Sequence, residues 1–128
     1  MRHLSLITIV VPDYDAGIAY YRDVLGFELI EDTEMAPGKR WVVVSPGGQT
    51  RILLAQASGP DQIGAVGNQT GGRVGFFLHT DQFDQDYAEM AAKGVDFLEE
   101  PRSEVYGRVA KFRDGFGNLW DLLQFAKS

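Results

Sequence analysis

The pattern of apolar and polar positions along this chain is written twice. Leu4 to Val11 is rich in β-forming residues and stops at Pro12, and Asp13 behind it is a good helix N-cap. Tyr14, Ile18, Tyr21 and Leu25 then fall on one helical face, and Gly26 stands where a glycine ends a helix. Three short stretches follow, Phe27–Glu31, Trp41–Ser45 and Arg51–Gln56, parted by Pro37-Gly38 and Pro46-Gly47-Gly48. The same order then returns. Residues 73–80 predict a strand, 81–93 a helix ended by Gly94, and 95–99, 108–113 and 119–124 three more strands.

Gly26, Gly47 and Gln56 recur as Gly94, Gly115 and Gln124, each 68 residues later. Tyr14, Ile18 and Tyr21 recur as Phe83, Tyr87 and Met90 at a distance of 69, so a slip of one lies between the helix and its glycine. The first strands match best at 67 when the buried face is kept. The pattern predicts an α+β domain over 1–128: module one at 1–56, a polar glycine-rich linker at 57–72, and module two at 73–128. Each module reads as β-α-β-β-β, giving eight strands in two four-stranded sheets, each covered by one helix.

Alternation assigns faces. Ile7, Ile9, Val11, Val42, Val44, Ile52 and Leu54 pack toward a helix, as do Val74, Phe76, Leu78, Ala110, Phe112, Trp120 and Leu122. The other face is mixed, with Leu6, Thr8 and Leu53 in one half against Gly75, Phe77, His79 and Asp121 in the other. An apolar surface with a few convergent polar groups is the usual make-up of a small-molecule pocket, so the site is expected there.

Composition narrows the function. The 128 residues, 45% hydrophobic and 23% charged, suit an ordinary soluble globular domain. The chain has no cysteine, which excludes disulfides, thiolate metal sites and cysteine nucleophiles. No apolar run approaches the ~20 residues that span a bilayer, and no signal-peptide layout opens the chain, so a cytoplasmic protein without a membrane partner is expected. A net charge of −6 argues against nucleic acid as a partner.

Where the two modules differ in chemistry, a site is the natural reason. Asp121 replaces the Leu53 of module one, and a buried carboxylate needs a counter-charge, for which Lys111 and Arg51 are candidates. Asp121 and His79 are the candidate proton carriers. Trp41 and Phe77 are candidate wall aromatics, and Tyr106, at the start of the predicted seventh strand, is a candidate lid. Each has a plainer reading: an ion pair for Asp121, a strand-end bond to backbone for His79, core for the aromatics, a turn for Tyr106. The glycine pairs do not extend to a phosphate-binding G-x-G-x-x-G, and there is no G-x-S-x-G nucleophile elbow.

The paired modules, the opening Ile7-Thr8-Ile9-Val10-Val11-Pro12-Asp13, then Tyr20-Tyr21 and Leu25-Gly26-Phe27, and the closing Asp114-Gly115-Phe116-Gly117-Asn118-Leu119-Trp120-Asp121-Leu122 resemble the vicinal oxygen chelate superfamily. That group holds glyoxalase I, the bleomycin and fosfomycin resistance proteins and the extradiol dioxygenases. The resemblance implies the paired-module fold, a homodimer, and a divalent metal held from the first and last strand of each half. Carried onto this chain, the metal positions are Leu6, Leu53, Gly75 and Asp121, of which only Asp121 has a donor atom. The expectation is therefore no metal cofactor, and a small-molecule-binding protein similar to the bleomycin-resistance branch. The alternative is an enzyme of the same superfamily, lyase-like or dioxygenase-like, that uses acid–base chemistry or an atypical metal.

Overall fold

The computed structural model describes residues 1–127. The chain divides into two compact units, Met1–Val66 and Gly67–Ser128. The first runs β1 (Ile7–Val11), α1 (Tyr14–Ile18), a π-helical stretch (Ala19–Val24), β2 (Glu28–Ala36), β3 (Lys39–Ser45), β4 (Ile52–Gln56) and α2 (Gly59–Ala65). Its sheet has the order β1-β4-β3-β2, with β1 parallel to β4 and the other neighbours antiparallel. Asp13 caps α1 as expected, its Oδ1 accepting from the Ala16 N–H at 2.7 Å. Tyr14, Ile18 and Tyr21 are buried on the sheet side with Ile9, Val11, Val42, Val44 and Leu54.

Two expectations for this unit change. Ile7 is 45% exposed rather than packed under the helix. The reason is that β4 begins at Ile52, its partner, so the ladder has no rung below Ile7 and β1 starts there instead of at Leu4. The segment read as a plain linker contains α2, with a proline in its first turn where the missing N–H is harmless.

The second unit runs β5 (Val74–His79), α3 (Phe83–Ala92), β6 (Asp96–Phe97), β7 (Arg102–Glu104), β8 (Gly107–Arg113) and β9 (Leu119–Phe125). Its five-stranded sheet has the order β5-β9-β8-β6, with β7 also paired to β8. An aromatic chain fills its core: Tyr87 to Phe97 at 4.3 Å between ring centres, Phe97 to Phe112 at 5.6 Å, Phe112 to Trp120 at 5.7 Å, and Trp120 to Phe76 at 4.7 Å. The helix starts at Phe83 rather than at Asp81. Thr80 Oγ1 accepts from the Gln82 N–H, and Gln124 Oε1 on β9 accepts from the Phe83 N–H at 2.9 Å, so side chains hold the first turn.

The described residues thus contain nine strands, where eight were expected. The long β2 of the first unit corresponds to two short pieces, β6 and β7, in the second. Pro101 has no N–H for the ladder, and the break is bridged by a side chain: Glu99 Oε2 accepts from the backbone N–H of Lys111 at 2.8 Å.

The ladders also correct the register of the repeat. Ile7 and Ile9 face Ile52 and Leu54, while Phe76 and Leu78 face Trp120 and Leu122. The true counterparts of Ile7 and Ile9 are therefore Phe76 and Leu78, 69 residues on and not 67. Alternation misled because β5 carries a bulge between Val74 and Phe76, which adds one residue to the strand.

Candidate functional site

With the register settled, the two sheets can be compared rung by rung. In the first, Thr8 faces Leu53, and Leu53 faces Val43. The equivalent rung of the second is Phe77 facing Asp121, and Asp121 facing Lys111. A hydroxyl and two aliphatic side chains are replaced by an aromatic ring, a carboxylate and an ammonium group. Directly paired residues project from the same face of a sheet, with strands about 4.8 Å apart, so these three stand side by side.

Their environments differ sharply. Phe77 is 65% exposed, Asp121 only 9%. Asp121 Oδ1 is buried without a hydrogen-bond partner among the described residues, an unusual state for a charged oxygen. Burial raises the Asp121 pKa above its ordinary 3.8; Arg102 and Lys111 oppose the shift and Glu99 adds to it. Lys111 makes no ion pair among the described residues. Arg102 is committed elsewhere. Its guanidinium is held charged by Glu104 first and by Glu99, both Glu99 oxygens lying 3.2 Å from Nε.

The remaining candidates are placed as follows. His79 lies on the same face as Phe77, two residues further along β5 and paired with Leu123; its ring stacks on Phe125 at 5.2 Å. Tyr106 is 45% exposed in the turn between β7 and β8, since β8 begins at Gly107 rather than at Tyr106. Its hydroxyl hydrogen-bonds the Arg102 side chain. Trp41 belongs to the first unit, 37% exposed on β3 opposite Thr33. Arg51 also belongs there, and its guanidinium clamps the β3–β4 turn. Nη1 donates to Ser45 Oγ at 3.1 Å and to the carbonyls of Gly48 and Thr50 at 3.0 Å. It lines an open cavity of about 540 Å³ with His3 and Ile7, but none of the cavity's lining residues is a buried polar group lacking a partner.

Arg102 and Glu99 are the residues that sequence reading missed. Both sit around a strand too short, and too close to Pro101, to be recognised from its pattern. The signal that was available is the second module's Glu99-Glu100-Pro101-Arg102, a charged break where the first module has continuous strand.

The four positions implied for a divalent metal can be tested on donor chemistry. Leu6 and Leu53 offer no lone pair. Gly75 has no side chain, and a Cβ there would come within 2.6 Å of Thr70 Cγ2, a methyl pinned by the 2.6 Å bond from Thr70 Oγ1 to the Arg73 carbonyl. Asp121 is the one donor of the four. Among the described residues no group of three or more His, Asp or Glu side chains is placed to hold an ion.

Comparison with known proteins agrees with this architecture. The sequence model of the Glyoxalase/Bleomycin resistance protein/Dioxygenase superfamily matches residues 3–122. An uncharacterised protein of Shewanella frigidimarina is 53% identical over 121 residues, spanning 92% of this chain and 90% of the relative. The crystal structure of TnmS3, an antibiotic binding protein from Streptomyces sp. CB03234, superposes with a TM-score of 0.79 at 30% identity, covering 98% of each chain. A glyoxalase/bleomycin resistance protein from the same Streptomyces strain gives a TM-score of 0.72 at 31% identity, over 93% of this chain and 97% of its own.

Proposed function

Since the chain belongs to the glyoxalase/bleomycin resistance protein/dioxygenase superfamily, whose fold serves many chemistries, we propose that it binds a small organic molecule on the Phe77–Asp121–Lys111 face without a divalent metal. The observation that carries this reading is the rung-for-rung replacement of Thr8, Leu53 and Val43 by Phe77, Asp121 and Lys111. Packing alone gives no reason for it, because the first sheet closes the same rung with neutral side chains. An exposed ring offers stacking area, and a buried carboxylate beside an ammonium offers orientation. The similarity to an antibiotic binding protein at 30% identity supports a ligand of that general size and kind. One carboxylate among four implied positions does not fit a divalent ion, which needs at least three protein ligands to compete with water.

The direct test is a thermal-shift panel of antibiotics and aromatic metabolites, with and without EDTA, on the wild type and on Phe77→Thr/Asp121→Leu/Lys111→Val. That variant copies the first module's rung. At least one compound should stabilise the wild type equally in both buffers and leave the triple variant unmoved. Stabilisation that requires an added metal, or that survives in the triple variant, sinks the proposal. So does near one equivalent of zinc, nickel, iron or manganese bound to Asp121 in purified protein.

A second reading rests on the raised pKa of Asp121, which brings it closer to the range of a general acid or base. In that case the bound molecule is turned over, and product formation that Asp121→Asn abolishes distinguishes it from simple binding.

A further inference from the structure

A carboxylate oxygen shut away from water needs a donor. Asp121 Oδ1 has no such partner among the described residues, and the groups around it are already engaged. Phe77 has no donor. The Lys111 N–H is taken by Glu99 Oε2 at 2.8 Å and the Leu98 N–H by the Lys111 carbonyl at 2.9 Å. Arg102 is held by Glu104 and Glu99. The donor that satisfies Asp121 therefore comes from outside the chain.

The neighbours on the rung define what else that molecule carries. Lys111 ends in three N–H donors and no acceptor, and it enters no ion pair among the described residues. It calls for an acceptor immediately beside the donor. On the other flank the exposed Phe77 ring calls for a flat apolar surface. The order across the strands is ring, acceptor, ammonium.

Resting on the small-molecule reading above, we propose that this rung recognises a planar fused-ring ligand whose edge carries an N–H or O–H donor next to a carbonyl. The donor goes to Asp121 Oδ1, the carbonyl accepts from Lys111, and the fused ring lies against Phe77. A bicyclic aromatic lactam has these groups in this order, since its N–H sits between the carbonyl and the ring junction. No bond is made or broken; the rung is a specificity element.

Three probes separate the contributions. 2-Quinolone carries donor, carbonyl and rings; N-methyl-2-quinolone lacks only the donor; quinoline lacks donor and carbonyl. Each is titrated into the wild type and Asp121→Leu, with backbone amide shifts in ¹H–¹⁵N spectra as the readout. 2-Quinolone should move the amides of Phe77, Asp121 and Lys111 and bind at least about tenfold more tightly than its N-methyl form. The gap should close in Asp121→Leu, whose unperturbed amides elsewhere report an intact fold. Equal affinity of the two lactams for the wild type, an unchanged gap in Asp121→Leu, or failure of 2-quinolone to bind this face overturns the inference. If the N-methyl lactam and quinoline still bind there without discrimination, only the donor requirement falls and the small-molecule reading stands. If all three leave this face untouched and the compound panel is silent as well, both fall.

Discussion

A carboxyl group moved out of water resists losing its proton, and Asp121 is the residue where that cost is concentrated. Its folded pKa lies above the ordinary 3.8, with burial as the leading cause. The native state therefore keeps this proton at a pH where the unfolded chain has released it. Stability contributed this way is present at low pH and is lost as pH rises from 3.8 through the raised value. We expect Asp121→Asn to remove that loss, so that the variant's stability relative to wild type climbs between about pH 4 and pH 7 in urea titrations. A difference that is flat with pH would show that the carboxylate is not buried in solution. Asp121→Leu should leave the fold intact while ligand binding is lost, because the first module holds leucine on the same rung. Asp114 presents the opposite case. It is equally buried, yet its Oδ1 accepts from the N–H groups of Phe116, Gly117 and Asn118, and its Oδ2 from Asn118 Nδ2 and Trp120 Nε1. Asp114→Ala orphans five donors and should cost on the order of 3 kcal/mol or more, read as a lower unfolding midpoint with altered Trp120 fluorescence.

Among the elements, the single-residue slip in the repeat has a physical identity. Tyr21 and Phe27 correspond to Met90 and Val95. In α3 the Val95 N–H reaches the Met90 carbonyl, five residues back, whereas the Phe27 N–H reaches the Tyr21 carbonyl, six back. The extra residue is absorbed by the π-helical stretch Ala19–Val24, and both helices then end on a glycine of positive φ, +76° at Gly26 and +87° at Gly94. Everything before the insertion repeats at 69 and everything after it at 68. The broken strand is the second point of difference. Glu99 replaces a strand carbonyl as acceptor for the Lys111 N–H, so Glu99→Ala should speed hydrogen exchange at Lys111 and cost about 1–2 kcal/mol. Glu99→Gln keeps an acceptor oxygen and should do neither. Fast exchange in both variants would mean that the charge, and not the acceptor, holds the gap.

For the whole molecule, the prediction is a homodimer. Large apolar side chains remain open to solvent in both units: Met35 at 61% in the first, Phe77 at 65% and Phe125 at 58% in the second. Exposed apolar surface of this kind marks interaction sites, and symmetric pairs are the commonest assemblies. Light scattering at micromolar concentration should return twice the 14.2 kDa formula mass, and a monomer would contradict the assignment. Among the described residues no helix is long and apolar enough to cross a membrane.

Periodicity and turn chemistry are local properties, so they reveal themselves in one dimension. They located the repeat, both principal helices with their terminal glycines, the Asp13 cap and the α+β class. They also singled out Asp121, because its difference from Leu53 is visible from the repeat alone. Tertiary structure decided the rest, since it depends on which strand lies beside which. A bulge at Gly75 shifts parity without changing composition, and that placed Phe77, not merely Asp121, on the critical rung. The ladder put Arg102 and Glu99 around that carboxylate, from a strand too short to carry a pattern. It also showed the Arg51 guanidinium spent on a turn, where sequence made it a free counter-charge. Which polar groups are left without a partner is a sum over neighbours in space, and only the folded chain performs that sum.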